Sequence, residues 1–238
     1  MQFDPELIIF DHDGVLVDSE ILAMEHLAAM STAHGVTTSI PDAFDFYLGT
    51  SFDYVVEHLR TNGAVIDRDE AHAAFHVSLF NDFRTRLQEI PGTSGLLQTL
   101  KENNQLISIA SSGSRERVTL GITTTGINHY FKDSIITTAE DATRGKPFPD
   151  LFLITAERAG VDPRNCLVIE DSPFGVEAAS RAGMSSIGLA YRTPAEKLSA
   201  ADLVVCTPEE VLLALGYQPF APPDRSTAIT STSASKRE

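Results

Sequence analysis

Cysteine is nearly absent: Cys166 and Cys206 are the only two in 238 residues. Two thiols make neither a disulfide framework nor a paired zinc-ligand spacing, and they suit a reducing compartment. Basic residues are also scarce, 18 against 33 acidic ones, for a formal charge of -15. That balance repels phosphodiester backbones and anionic lipid surfaces, so no nucleic acid and no membrane is expected as a partner. Long apolar runs are missing. The first run, Leu7-Ile8-Ile9-Phe10, has no basic stretch ahead of it and is far too short for a signal segment or a membrane span, so the expected location is cytoplasmic. No internal repeat is visible. What is present is a globular composition, 42% hydrophobic and 21% charged residues, in a chain long enough for one large domain or a core with an inserted subdomain. An acidic protein that handles anions needs local donors or a bound cation, so clustered acids that could ligate a metal become the first thing to seek.

Leu7–Phe10 reads as a central strand buried on both faces, ending in the turn Asp11-His12-Asp13-Gly14. Similar runs at 106–110, 135–137, 166–169, 186–189 and 203–205 bring the expected strands to six. Helical patterns near 93–103, 115–121, 149–160, 174–183 and 208–215 alternate with them, which predicts an α/β fold with a doubly wound parallel sheet. Ligands are then expected at the strand C-termini. From Leu16 to Ile90 the alternation stops, and the chain reads as several helices without a strand, opened by Ser19 and Glu20. Pro91-Gly92 marks the return to the sheet. The expected organisation is a core of 1–15 and 91–216, an inserted all-helical subdomain of 16–90, and a flexible Pro- and Ser/Thr-rich tail of 217–238.

Four segments offer chemistry, each with an ordinary alternative. Asp11 and Asp13 stand two residues apart at a strand end, where one carboxylate could attack an electrophile such as phosphorus and the other protonate the leaving oxygen; an acidic turn is the alternative. Alternation along the strand is expected to turn His12 away from both acids. In Ile109-Ala110-Ser111-Ser112-Gly113 a hydroxyl and exposed N–H groups could hold phosphate oxygens, or Ser111, Ser112 or Ser114 could simply cap a helix. Lys146, in Gly145-Lys146-Pro147-Phe148-Pro149-Asp150, sits in a proline-restricted loop; a mobile surface lysine is the alternative. Glu170-Asp171-Ser172-Pro173 ends a strand, and either Asp171 or Ser172 could be a helix N-cap, while the two acids with Asp11 could hold magnesium, which prefers oxygen ligands.

The order of these segments, D-x-D-G, then serine after a strand, then GKP, then ED at a strand end, resembles the haloacid dehalogenase superfamily over residues 5–215. The likeness is to its phosphatase and β-phosphoglucomutase-like members, which carry a helical cap. The resemblance implies a Rossmann-like core and a magnesium-dependent phosphatase acting on a small phosphorylated metabolite, a sugar or polyol phosphate, through an aspartyl-phosphate. Asp11 would be the nucleophile and Asp13 the general acid and base. Ser111, Ser112 and Lys146 would hold the phosphoryl group, and Mg2+ would be ligated by Asp11, the Asp13 carbonyl, Glu170 and Asp171. Glu20, Gly49, Thr50 and Ser51 fall where substrate specificity is expected.

Asp13 favours phosphate over halide chemistry. The absence of lysine from 16–90 sets aside the phosphonoacetaldehyde hydrolases. Phe52 and Ala23 stand where β-phosphoglucomutases carry arginine and histidine, so a mutase is the lesser reading, beside a non-catalytic phosphate- or partner-binding module. Arg84 and Arg86 are expected to be solvated helix charges. His26, His34, His58, His72 and His76 are expected to be scattered surface or packing residues rather than a second metal site. The oligomeric state is left open, a monomer being compatible with the sequence.

Overall fold

In the computed structural model, residues 3–218 are described; of the expected tail, all but Tyr217 and Gln218 lies outside the described residues. The organising element is β1 (Leu7–Phe10), whose four side chains are all buried. Ile8 and Phe10 point into one apolar cluster, Leu7 and Ile9 into another, so the strand must lie inside a sheet covered on both faces. It does: β2 (Leu106–Ala110), β3 (Ile136–Thr137), β4 (Cys166–Glu170), β5 (Ser185–Leu189) and β6 (Leu203–Val205) join it in the order β3-β2-β1-β4-β5-β6. All neighbouring pairs are parallel.

The order reverses beside β1. The chain winds outward through β2 and β3, then returns to the other side of β1 for β4 to β6, and the crevice at this switch point is where ligands bind in open parallel sheets. Register makes the crevice sharp. Phe10 pairs with both Ile109 and Ile169, so the residues that follow, Asp11, Ala110 and Glu170, stand level at three adjacent strand ends. On one face of the sheet pack α5 (Thr93–Glu102), α6 (Arg115–Thr124) and α9 (Pro208–Ala214), through residues such as Leu97, Val118 and Val211. On the other face lie α7 (Asp150–Ala159) and α8 (Pro173–Arg181), through Phe152 and Ala178.

Between β1 and α5 come four helices, α1 (Ser19–Ala33), α2 (Ile40–Tyr47), α3 (Phe52–Thr61) and α4 (Arg68–Arg86). They bury an apolar cluster of their own around Leu27, Tyr47, Val56 and Leu59. Leu22, Leu79 and Phe83 from α1 and α4 instead join the sheet-side cluster, together with Leu16, Val17, Leu87 and Ile90. No described helix is long and apolar enough to cross a membrane.

The six expected strands are all present. Their edges move slightly: Ile135 precedes β3 although its carbonyl accepts the Ile109 N–H, β4 runs on to Glu170, and β5 starts at Ser185.

Where β1 ends, His12 is fully buried against α6. A methyl group on Gly121 of α6 would lie 2.3 Å from His12 Nε2. Helix propensity alone would make Gly121→Ala stabilising by up to about 1 kcal/mol, while overpacking costs about 1–3 kcal/mol. We expect the second effect to win, lowering Tm by about 2–6 °C in a scanning-calorimetry comparison. A raised Tm would show that the imidazole does not occupy that contact.

Candidate active site

Three strand ends and one loop build the centre. Asp11 leaves β1, its N–H donating to the Ile169 carbonyl at 2.9 Å, and its carboxylate is buried. Lys146 reaches in from the loop after β3. Its ammonium donates to Asp11 Oδ1 at 2.7 Å, to Glu170 Oε1 at 2.5 Å and to the Ala110 carbonyl at 3.3 Å. Burial would lower the lysine, but the two carboxylates outweigh it and raise it above its usual range, so the ammonium stays charged. The mobile-surface alternative for Lys146 is thereby removed.

Each serine motif divides its labour. Ser114 caps α6 by accepting the Arg117 N–H, which leaves Ser111 and Ser112 on the cavity wall. Ser111 Oγ accepts the Gly113 N–H at 3.0 Å. At the end of β4, Ser172 caps α8 through the Gly175 N–H and donates from its own N–H and hydroxyl to Glu170 Oε2. Asp171 is therefore not the cap and faces the cavity. Two glycines make the room. Gly14, at φ 75°, has no side chain where a Cβ would sit 2.0 Å from Asp171 Oδ2, and a Cβ on Gly175 would meet Glu170 Oε1 at 1.8 Å.

Asp11, Glu170 and Asp171 each offer an oxygen within 4.8 Å of the others, all buried. Burial is the main force raising Asp11 to about 6, and burial with the charges of Glu170, Glu20 and Asp11 pushes Asp171 well above its usual value. Three crowded carboxylates share one ammonium. An all-oxygen donor set of this kind, short of positive charge, fits a hard divalent cation.

Asp13 has a different environment. Burial pushes it upward, but the Arg117 guanidinium and His12 outweigh that and hold it well below the usual carboxylate range. Arg117 donates from Nε to both carboxylate oxygens at 3.1 Å and from Nη2 to Oδ1 at 2.8 Å, and lies 4.8 Å over the ring of Phe83 on α4. The expectation that His12 turns away from the acids is corrected here. The chain leaves extended geometry after Phe10, and His12 Nδ1 comes to 3.3 Å from Asp13 Oδ2. Glu20, in the first turn of α1, is raised to about 7, by burial first and then by the charge of Asp13.

The five acids, Ser111, Ser112 and Lys146, but not His12 or Arg117, line a cavity of about 320 Å³, closed further by Leu48, Gly49, Phe174, Thr193 and Lys197. Of the expected specificity loop, Gly49 lines it but Thr50 and Ser51 do not. The Thr50 hydroxyl donates to the Tyr47 carbonyl and Ser51 caps α3. Arg86 pairs with Asp82 and Glu25, and Arg84 bonds Asn81, both outside this cavity. Sequence reasoning missed Arg117, whose contact with Asp13 spans 104 residues, and the wall residues Leu48, Phe174, Thr193 and Lys197. The only signal for Arg117 was its place in the first turn after a serine cap that itself follows a strand.

The haloacid dehalogenase-like hydrolases match residues 8–189 of the chain. The validoxylamine A 7'-phosphate phosphatase of Streptomyces hygroscopicus subsp. limoneus is 28% identical over 201 residues, 84% of this chain and 92% of its own. The 6-phosphogluconate phosphatase of Escherichia coli is 26% identical, covering 75% and 80%. A haloacid dehalogenase-like protein from Agrobacterium tumefaciens superposes with a TM-score of 0.81 at 29% identity, over 90% of this chain and 98% of that one. A β-phosphoglucomutase from Clostridium difficile gives a TM-score of 0.67 at 25% identity, over 90% and 98%. Sheet order, acid cluster and a match across most of the chain thus agree: it belongs to the haloacid dehalogenase-like hydrolases, among their phosphatases.

Proposed function

We propose that the protein is a magnesium-dependent hydrolase of small sugar or polyol phosphates that works through an aspartyl-phosphate on Asp11. The carrying observation is the ammonium of Lys146, 2.7 Å from Asp11 and bonded also to Glu170, at a strand end that Asp13 flanks. Asp11, Glu170, Asp171 and the Asp13 carbonyl would hold the magnesium ion, which supplies charge neutralisation when bound.

In the first half-reaction an Asp11 carboxylate oxygen attacks phosphorus, the bond from phosphorus to the ester oxygen breaks, and Asp13 gives that oxygen a proton. In the second, water attacks the same phosphorus, Asp13 takes the proton, and Asp11 is released with inorganic phosphate. Lys146, Ser111 and Ser112 hold the phosphoryl oxygens during both steps. Arg117 keeps Asp13 anionic, the form the second half needs. The first half requires the guanidinium to yield one carboxylate oxygen.

Residues 16–90 act in this reading as a cap that excludes water and selects the leaving group. Relatives named for 6-phosphogluconate, validoxylamine phosphate and hexitol phosphates support a polyol leaving group, and Glu20, Thr193 and Lys197 offer polar walls for its hydroxyls. A mutase would need a second phosphate clamp near residue 52. Phe52 is instead committed to aromatic packing on His72 and Phe75.

Asp11→Asn should lower kcat for phosphate release by at least about 10³-fold with an unchanged circular dichroism spectrum. Turnover near wild type would assign the nucleophile elsewhere. Chelation with EDTA should abolish activity and magnesium restore it, whereas full activity after exhaustive chelation would remove the metal from the reading. Glu20, neutral below about pH 7, adds a negative charge beside the dianionic substrate as pH rises through that value. kcat/KM should therefore fall above about pH 7, and Glu20→Gln should extend the plateau upward. A variant profile that overlays the wild type would show Glu20 has no such effect.

A further inference from the structure

The histidines of the insert were expected to be scattered. His72 and His76 are not: they stand four residues apart on α4, and positions i and i+4 of a helix share one face. Their Nε2 atoms are 3.1 Å apart. Two nitrogens each about 2.0–2.1 Å from one zinc ion would be about 2.9 Å apart at a right angle and about 3.3 Å at the tetrahedral angle. The observed separation falls between these limits, so the pair already has the bite of a chelate without any change in the helix.

Both rings are held from the side. Phe52 meets His72 edge-on at 4.9 Å, and Phe75 and Phe80 flank His76 at 5.8 and 6.1 Å.

We propose that His72 and His76 form a second cation site, on the insert and separate from the acidic cluster, for a transition-metal ion of the zinc, nickel or copper class. Imidazole nitrogens select these ions, whereas magnesium keeps to oxygen donors, so the two sites sort cations by ligand chemistry. Alone, the two rings share one N–H between their Nε2 atoms. With the ion bound, each ring carries its proton on Nδ1 and water completes the coordination. The same helix places Phe83 over Arg117, so the ion would staple the turn of α4 that precedes this contact.

The test is calorimetric titration of the full, tag-free chain with zinc chloride in millimolar magnesium, which competes for the acidic cluster on the proposed reading of that site. Copper(II) paramagnetic resonance on the same protein counts the bound nitrogens. Wild type should bind zinc at one site that His72→Ala and His76→Ala each weaken by about a hundredfold, while His26→Ala, whose imidazole bonds Asp82, leaves it unchanged. The copper spectrum should show two equivalent nitrogens. Zinc should also raise the Tm of wild type but not of His76→Gln, which covers the case where an alanine variant folds poorly. Zinc affinity within a few-fold of wild type in both variants, or a copper spectrum without paired nitrogens, would overturn the site. Neither result bears on the phosphatase reading, since neither residue lines the catalytic cavity.

Discussion

The molecule is constrained above all by the need to hold buried carboxylates side by side. Parallel pairing of β1 with both β2 and β4, in a register that sets Phe10 against Ile109 and Ile169, leaves Asp11 and Glu170 at one level. Like charges in a low-dielectric crevice repel, and the rise of Asp11 to about 6 records that cost together with desolvation. Lys146 offsets part of it by bonding both acids at once. Removing that ammonium would leave two buried acids facing each other, which is why its loop has to return to this point from beyond β3. Gly14 and Gly175 serve the same constraint by keeping Cβ atoms out of the space that Asp171 and Glu170 occupy.

Asp11 and Asp13 show how two carboxylates two residues apart acquire opposite character. Asp11 is shifted upward by burial among acids, Asp13 downward by a guanidinium that grips both of its oxygens. In the proposed mechanism the nucleophile must be ionised, a form that the Lys146 ammonium favours against that upward shift, and the group that alternates between acid and base must pass between its two forms. Arg117 favours one of those forms, the anion, and is itself held twice, by Asp13 and over the ring of Phe83 on α4. Whatever alters the packing of α4 against α6 is therefore felt at the carboxylate of Asp13.

The parts legible in the sequence are those that local physics determines. Short apolar-rich runs of three to five residues mark the strands, and an acid or small hydroxyl residue directly follows β1, β2, β3 and β4. Helix caps were only half legible: the sequence admitted several serines and one aspartate as candidates, and the structure assigns Ser114 and Ser172, releasing Ser111 and Asp171. The long-range partner of Asp13 was not legible. Nothing near Arg117 distinguishes it from Arg115, which bonds Asp141 instead, because the choice depends on which helix face meets the end of β1. His12 misled for a related reason: strand alternation holds only while the backbone stays extended, and it stops at Phe10. The four-residue spacing of His72 and His76 is legible in the sequence, whereas the 3.1 Å approach of their Nε2 atoms is not.

Charge counting around the cavity explains why an acidic protein can receive an anion there. Asp13 and Arg117 cancel as a pair, and Glu20 is neutral below about pH 7. Within the acidic cluster, Asp11, Glu170 and Asp171 face the single ammonium of Lys146, an excess of two negative charges when all three acids are ionised, and Lys197 adds one positive charge elsewhere on the cavity wall. A phosphate dianion would be driven from such a site, the more so on a chain with a formal charge of -15. One divalent cation would bring the cluster's own count to zero and leave the serine hydroxyls and Lys146 to bind phosphoryl oxygens. With a monovalent ion in its place the excess would persist. The same balance is consistent with the placement of Arg117 outside the cluster, since a second fixed cation beside Asp11 would neutralise the acids that a divalent cation would need.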